Sequence, residues 1–186
     1  MTIIYLISPV ETSNKFLEER RATLTEQGKR DCVILTRFFE DKKVDAIYSS
    51  PYMAAIDTIR PCANQLKLPV YIVEEFKERV IGQITESLPQ FEKKQWQTFS
   101  YHAPGGECLE EVRERMMDGI AMLANQEKNR TVVVSTHINA LCMAIQFFDE
   151  SFQYEDYVQA TKRKPGIVKF TFDGETCLDI EEIMCM

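Results

Sequence analysis

The chain of 186 residues is poor in several features that small proteins lean on. It has no Cys-x-x-Cys pair: Cys32, Cys62, Cys108, Cys142, Cys177 and Cys185 stand singly, and only His102 and His137 are present to share metal ligation. Neither a zinc ribbon nor a dithiol redox motif is available, so no metal and no cofactor is expected, and isolated thiols of this kind point to a reducing, cytoplasmic setting. By position alone Cys185, next to the C-terminus, is the most accessible thiol. Long apolar runs are also lacking. The first, Thr2 to Ile7, ends at Ser8-Pro9 with no basic residue in front of it, and is expected to be neither a signal peptide nor a membrane span. There is no basic block: 22 Lys and Arg face 29 Asp and Glu, a net charge of -7. Sequence-blind affinity for a phosphate backbone comes from cations that displace counterions, so nucleic acid is not an expected partner. Repeats, low-complexity tracts and linkers are missing as well. The whole chain, 1–186, reads as a single domain of roughly 16 Å radius of gyration, long enough to hide about 70% of its unfolded surface without a disulfide or metal staple.

What is present alternates. Short β-branched runs without helical period lie at Thr2 to Ile7, Val44 to Tyr48, Val70 to Val73 and Thr131 to Ser135, and each is followed by a segment with helical signals. This pattern predicts an α/β three-layer sandwich, a mostly parallel central sheet flanked by helices. Thr25 before Glu26, with Cys32, Leu35, Phe38 and Phe39 at helical spacing, predicts a helix over 26–41. Ser50-Pro51 opens a second over 52–66, stopped by Leu68-Pro69. Leu109, Val112, Met116, Ile120 and Leu123 share one face of a third between Glu107 and Gln126. Between them, 74–106 is interrupted by Pro89, Pro104 and two adjacent glycines, and reads as a partly helical insertion over one end of the sheet. Gly166 to Phe172 and Thr176 to Ile180, around Asp173-Gly174, form a C-terminal edge hairpin.

Ligands of open α/β sheets bind beyond the carboxyl ends of the strands. Four such ends contribute Ser8 to Thr12, Ser49-Ser50-Pro51, Glu78-Arg79 and Thr136 to Asn139. On residue type alone this is one histidine, two or three carboxylates, one arginine and several hydroxyls around a crevice.

The same stretches carry a resemblance. Leu6-Ile7-Ser8-Pro9-Val10-Glu11-Thr12, Leu24-Thr25-Glu26-Gln27-Gly28, Tyr48-Ser49-Ser50-Pro51 with Ala55 and Thr58, Glu78-Arg79-Val80-Ile81-Gly82, Pro104-Gly105-Gly106-Glu107 and Val133 to His137 follow one another as in the phosphoglycerate-mutase-like proteins, the histidine phosphatase superfamily. Each piece alone is weak; six in order and spacing are specific. The resemblance implies a phosphatase fold in which a histidine within an Arg-His-Gly-Glu signature takes up the phosphoryl group. Two arginines and a second histidine hold that group, and a carboxylate donates a proton.

The departures fall on the chemistry. Ser8, Pro9 and Val10 stand where the signature has arginine, histidine and glycine, and Ala54 stands where the second arginine is expected. Glu11, Thr12, Glu78 and His137 match. A phosphohistidine requires an imidazole lone pair, and the proline nitrogen is tied up in an amide. Loss of a nucleophile costs about a millionfold in measured hydrolases, and loss of a charge-stabilising donor about a hundredfold or more. The resemblance therefore predicts a pseudophosphatase, with Ser8, Pro9, Ala54, Glu78 and His137 as vestigial positions and Glu11, Glu78, Arg79 and His137 as candidate ligand contacts for an unidentified protein or small molecule. With both arginines gone, Glu11 and Glu78 are expected to repel a phosphate dianion. Val10, a β-branched residue in place of glycine, is expected to accompany a rebuilt loop, since it disfavours positive φ.

Other readings remain open at this point. His137 reads equally as a helix cap or a filler of a polar niche, Glu78 as a solvated loop charge, and Arg79 as a salt-bridge partner. His102 is an expected loop histidine, and Lys162-Arg163-Lys164 before Pro165-Gly166 an expected solvated loop. A weak phosphatase by direct attack of water, with Glu78 as acid or base and His137 as clamp, is one alternative. An acyl hydrolase built on Ser8, His137 and Glu78 is another, although the G-x-S-x-G elbow is missing.

Overall fold

A computed structural model describes residues 1–13 and 22–183 of the chain; Cys185 lies outside the described residues. Six strands form one sheet in the order β3-β2-β4-β1-β5-β6. Four are parallel: β1 (Thr2–Ile7), β2 (Ala46–Ser49), β3 (Val70–Ile72) and β4 (Thr131–Ser135). β5 (Ile167–Asp173) runs antiparallel to β1 and pairs with β6 (Thr176–Ile183) at the edge. The central strands are apolar on both sides because both faces are covered, as parallel sheets require. On one face Ile4, Leu6, Val132 and Val134 pack with Val112 and Met116 of α4 (Leu109–Gln126) and Leu141 and Cys142 of α5 (Ile138–Phe148). On the other, Tyr5, Ile7 and Val133 meet Leu35 and Phe39 of α1 (Glu26–Glu40) and Ile59 and Cys62 of α2 (Met53–Leu66). These are the expected three layers.

Element boundaries moved where backbone groups found other partners. β2 starts at Ala46 rather than Val44, because Asp45 stands outside the ladder and its carboxylate accepts the Thr131 N–H at 2.9 Å. α4 starts at Leu109 rather than Glu107, since the Cys108 N–H donates to Glu111 Oε2 at 2.8 Å and closes the helix start there. Within 74–106 the chain makes a 3-10 turn at Glu74–Phe76 and α3 (Leu88–Gln97). Sequence periodicity gave no sign of α6 (Tyr154–Ala160), two turns long, whose start is fixed by the Gln153 N–H donating to Asp156 Oδ2 at 2.9 Å.

Two local features bring α1 against its neighbours, the first crevice loop and α2. Gly28, in the first turn of α1, lies so close to the loop that a Cβ there would stand 2.2 Å from the Glu11 carbonyl oxygen; only glycine permits this approach. Pro61 sits inside α2 and cannot donate to the Asp57 carbonyl one turn back. The thiol of Cys32 on α1 reaches that carbonyl instead, at 3.9 Å.

Candidate functional site

The carboxyl ends of β1, β2 and β4 open on a crevice of about 190 Å³, lined among others by Ser8, Pro9, Val10, Ala54, Glu78 and His137. Chain geometry explains the convergence. The strands are parallel neighbours in register, Ile7 beside Ser135 and Ser49 beside Ser135, so the residues that follow each strand emerge side by side.

Backbone and hydroxyl hydrogen bonds fix the β1 loop. The Ser8 N–H donates to the Gly166 carbonyl at 2.9 Å, and Ser8 Oγ accepts from the Gly166 N–H at 2.8 Å, so a residue 158 positions distant closes a two-bond clasp. The Val10 N–H donates to Thr58 Oγ1 at 3.2 Å, and that hydroxyl donates to the Ala54 carbonyl at 2.7 Å. Thr58 thereby ties together two of the positions that depart from the superfamily pattern. Val10 is buried and has no positive φ; outside glycine, only Lys67 and Asn129 do among the described residues.

His137 lies two residues beyond β4 and is the residue before α5, but its side chain does not cap that helix. Its Nε2 lies 2.7 Å from Ser50 Oγ, which also accepts the Tyr52 N–H at 3.0 Å, and the Tyr52 ring stands edge-on at 5.1 Å. Burial, with the Arg115 charge as a lesser contribution, pushes the imidazole down to about 3. His137 is therefore neutral at physiological pH and offers no positive charge to an anion.

Glu78 is buried at the crevice wall rather than solvated. Its Oε1 accepts the Arg79 N–H at 2.7 Å, and its Oε2 accepts from the Asn139 N–H at 3.2 Å and Asn139 Nδ2 at 3.4 Å. Two of the expected ligand contacts do not line the crevice. Arg79, next in sequence, points away: its guanidinium hydrogen-bonds Gln95 at 2.5 Å and pairs with Glu92 at 3.2 Å, under the Phe91 ring. Glu11 is turned to the start of α1, where its Oε2 accepts from Thr25 Oγ1 at 2.7 Å. His102 is an exposed loop residue, its Nδ1 3.2 Å from the Ala103 carbonyl.

Part of the remaining wall comes from residues that the sequence does not point to as site residues: Thr161, Arg163 and Lys164, in the segment between α6 and β5. Two of them belong to the cationic run read as a solvated loop. The Ser8–Gly166 clasp brings that segment to the crevice, and nothing in local sequence reports a contact of such separation. Among the described lining residues the charged side chains are Glu78, Arg163 and Lys164, and Glu11, expected to face the crevice, is not one of them. Arg163 is ion-paired with Glu182 on β6, both about half exposed. No group of three or more His, Cys, Asp and Glu among the described residues could hold a metal ion.

Comparison with known proteins agrees with this architecture. The chain is 29% identical over 168 residues to the uncharacterized phosphatase PhoE of Bacillus subtilis, covering 86% of each. YhfR of Bacillus stearothermophilus superposes with a TM-score of 0.78 over 96% of this chain and 95% of that one, at 22% identity. A mutant phosphoserine phosphatase from Entamoeba histolytica, solved with phosphoserine, superposes with a TM-score of 0.76 over 97% of this chain and 96% of that one, at 19% identity. The family model of the histidine phosphatase superfamily, branch 1, matches residues 11–178, a span that opens directly after Ser8-Pro9-Val10. By that match, over most of its length, this chain belongs to the histidine phosphatase superfamily.

Proposed function

We propose that this protein is a pseudophosphatase: a histidine-phosphatase domain that has lost phosphohistidine chemistry and works by binding a ligand in its crevice. The observation that carries the reading is Pro9, which lines the crevice where the superfamily places its nucleophile and has no lone pair to offer a phosphoryl group. Three further features support it. Ala54 and Ser8 replace the phosphate-holding arginines, and the Ser8 hydroxyl is engaged with Gly166. His137 is neutral, so it cannot serve as a cationic clamp for water attack on a phosphomonoester. Both oxygens of Glu78 already accept hydrogen bonds. An acyl hydrolase on Ser8, His137 and Glu78 lacks support, because each of the three is bonded to a different partner and none to another. The five described cysteines are all free, which fits a cytoplasmic setting, and no described helix is long and apolar enough to cross a membrane.

The test is turnover of p-nitrophenyl phosphate, 3-phosphoglycerate and phosphoserine together with trapping of acid-labile phosphoenzyme. The expected result is no hydrolysis above buffer and no adduct, and Pro9→His alone leaves that unchanged because the clamps are still missing. Hydrolysis that His137→Ala abolishes, or robust turnover from Pro9→His by itself, would overturn the proposal.

A further inference from the structure

A second cavity, of about 220 Å³, adjoins the crevice, and the two share Ile138, Arg163 and Lys164. Its wall is aliphatic, with Leu141 and Ile145 from α5, Ala160 from the end of α6, and Val168 from β5. It exceeds the roughly 150 Å³ of an apolar site that takes up benzene. Charge is balanced over the joined space: Arg163 and Lys164 stand against Glu78 and Glu182, and Arg163 is paired with Glu182. Such a lining favours neither an anion nor a cation, and an uncharged molecule gives up the least hydration on entering it.

Two buried polar groups of the crevice wall keep hydrogen-bonding capacity. Ser50 Oγ, fully buried, accepts the Tyr52 N–H, and among the described residues its own proton has no acceptor but His137 Nε2. The neutral imidazole therefore carries its proton on Nδ1, an N–H without a partner among the described residues, although His137 is only 4% exposed. Glu78 Oε1 accepts one hydrogen bond, from the Arg79 N–H, and a carboxylate oxygen has room for two. A donor and an acceptor thus line one crevice, beside the apolar surface of Pro9, Val10 and Ala54.

Resting on the reading of the crevice as a binding site that has lost phosphate chemistry, we infer that the joined cavities take an uncharged aliphatic chain ending in a primary carboxamide. The carboxamide oxygen accepts from His137 Nδ1, its N–H donates to Glu78 Oε1, and the chain enters the chamber against Leu141, Ile145 and Val168. A carboxylate head would set a second negative charge beside Glu78, and an ammonium head would leave the imidazole N–H unpaired. Burial selects the tail, each further methylene strengthening binding about fourfold until the chamber is full.

The experiment is calorimetric titration of the full chain with butanamide, hexanamide, octanamide, hexanoate, hexylammonium and 2-heptanone. Hexanamide is expected to bind at least tenfold more tightly than hexanoate or hexylammonium, and at least threefold more tightly than 2-heptanone, which accepts a hydrogen bond but cannot donate one. Affinity is expected to climb from butanamide to octanamide. Glu78→Gln, which removes the charge at constant size, should strengthen hexanoate at least fivefold. Ala160→Phe, at a half-buried position on the chamber wall, should weaken octanamide at least fivefold in protein with an unchanged melting temperature. Hexanoate or hexylammonium binding as tightly as hexanamide, affinity that ignores chain length, or no binding of octanamide would overturn the inference and leave the pseudophosphatase reading in place. Release of phosphate from p-nitrophenyl phosphate would instead overturn that reading, while the amide preference would still stand.

Discussion

At the scale of single residues, His137 has the clearest measurable consequence. The native state holds it near 3, while an exposed imidazole titrates near 6.5. Between these values the unfolded chain binds a proton that the folded chain refuses, so stability is fully present above about pH 6.5 and declines as pH falls toward 3. The slope is at most about 1.4 kcal/mol per pH unit. Urea unfolding at pH 7 and pH 5 should show a loss from this group of about 2 kcal/mol, absent from His137→Gln. An equal loss in that variant would mean that the imidazole takes up its proton in the folded state. Position 137 was legible as a strand-end histidine of the superfamily pattern, but its partner Ser50 and its neutrality were not. Both depend on how deeply the Ser49-Ser50-Pro51 turn is buried, which is a property of packing rather than of spacing.

At the scale of elements, Arg79 links pieces that the sequence leaves separate. It is almost wholly buried, pairs with Glu92 on α3, and Glu92 in turn accepts from the Tyr157 hydroxyl on α6 at 2.7 Å. Removing the carboxylate strands a guanidinium in the interior, so Glu92→Leu should cost about 3 kcal/mol or more. Tyr157→Phe, which removes one hydrogen bond and leaves the ion pair, should cost about 1 kcal/mol. Urea midpoints of the two variants check the ranking; equal costs would argue that the ion pair contributes nothing beyond packing. The strands and the longer helices were readable because apolar residues repeat with the period of each element. α6 was not, since seven residues allow too few repeats. The direction of Arg79 was not either: adjacent loop residues 78 and 79 face opposite sides, and only the tertiary partners Glu92 and Gln95 decide which is which.

At the scale of the whole molecule, two cores on either side of one sheet leave the thiols little access. Burial pushes Cys32 up to about 11 and Cys62 up to about 12, and lifts Cys142 well above its ordinary range; Cys108 is also buried. Cys177, on the edge strand β6, is half-buried. Since the thiolate is the reactive form, iodoacetamide at neutral pH should label Cys177 first among these five, with Cys32, Cys62 and Cys142 modified only after unfolding in urea. Peptide mass spectrometry with and without urea checks this, and rapid native labelling of Cys62 would contradict the packing of α2 on the sheet.

The reversed direction of β5 beside β1 has a last consequence. It delivers the segment before β5 to the mouth of the crevice, tied there through Gly166 and the Arg163–Glu182 pair, while the strands beneath carry the load of folding. Ligand preference and scaffold are thereby written in different parts of the chain. Exchange of residues 161–164 alone should retune what the mouth accepts, as an interchangeable faceplate on a fixed frame, without disturbing either apolar interior.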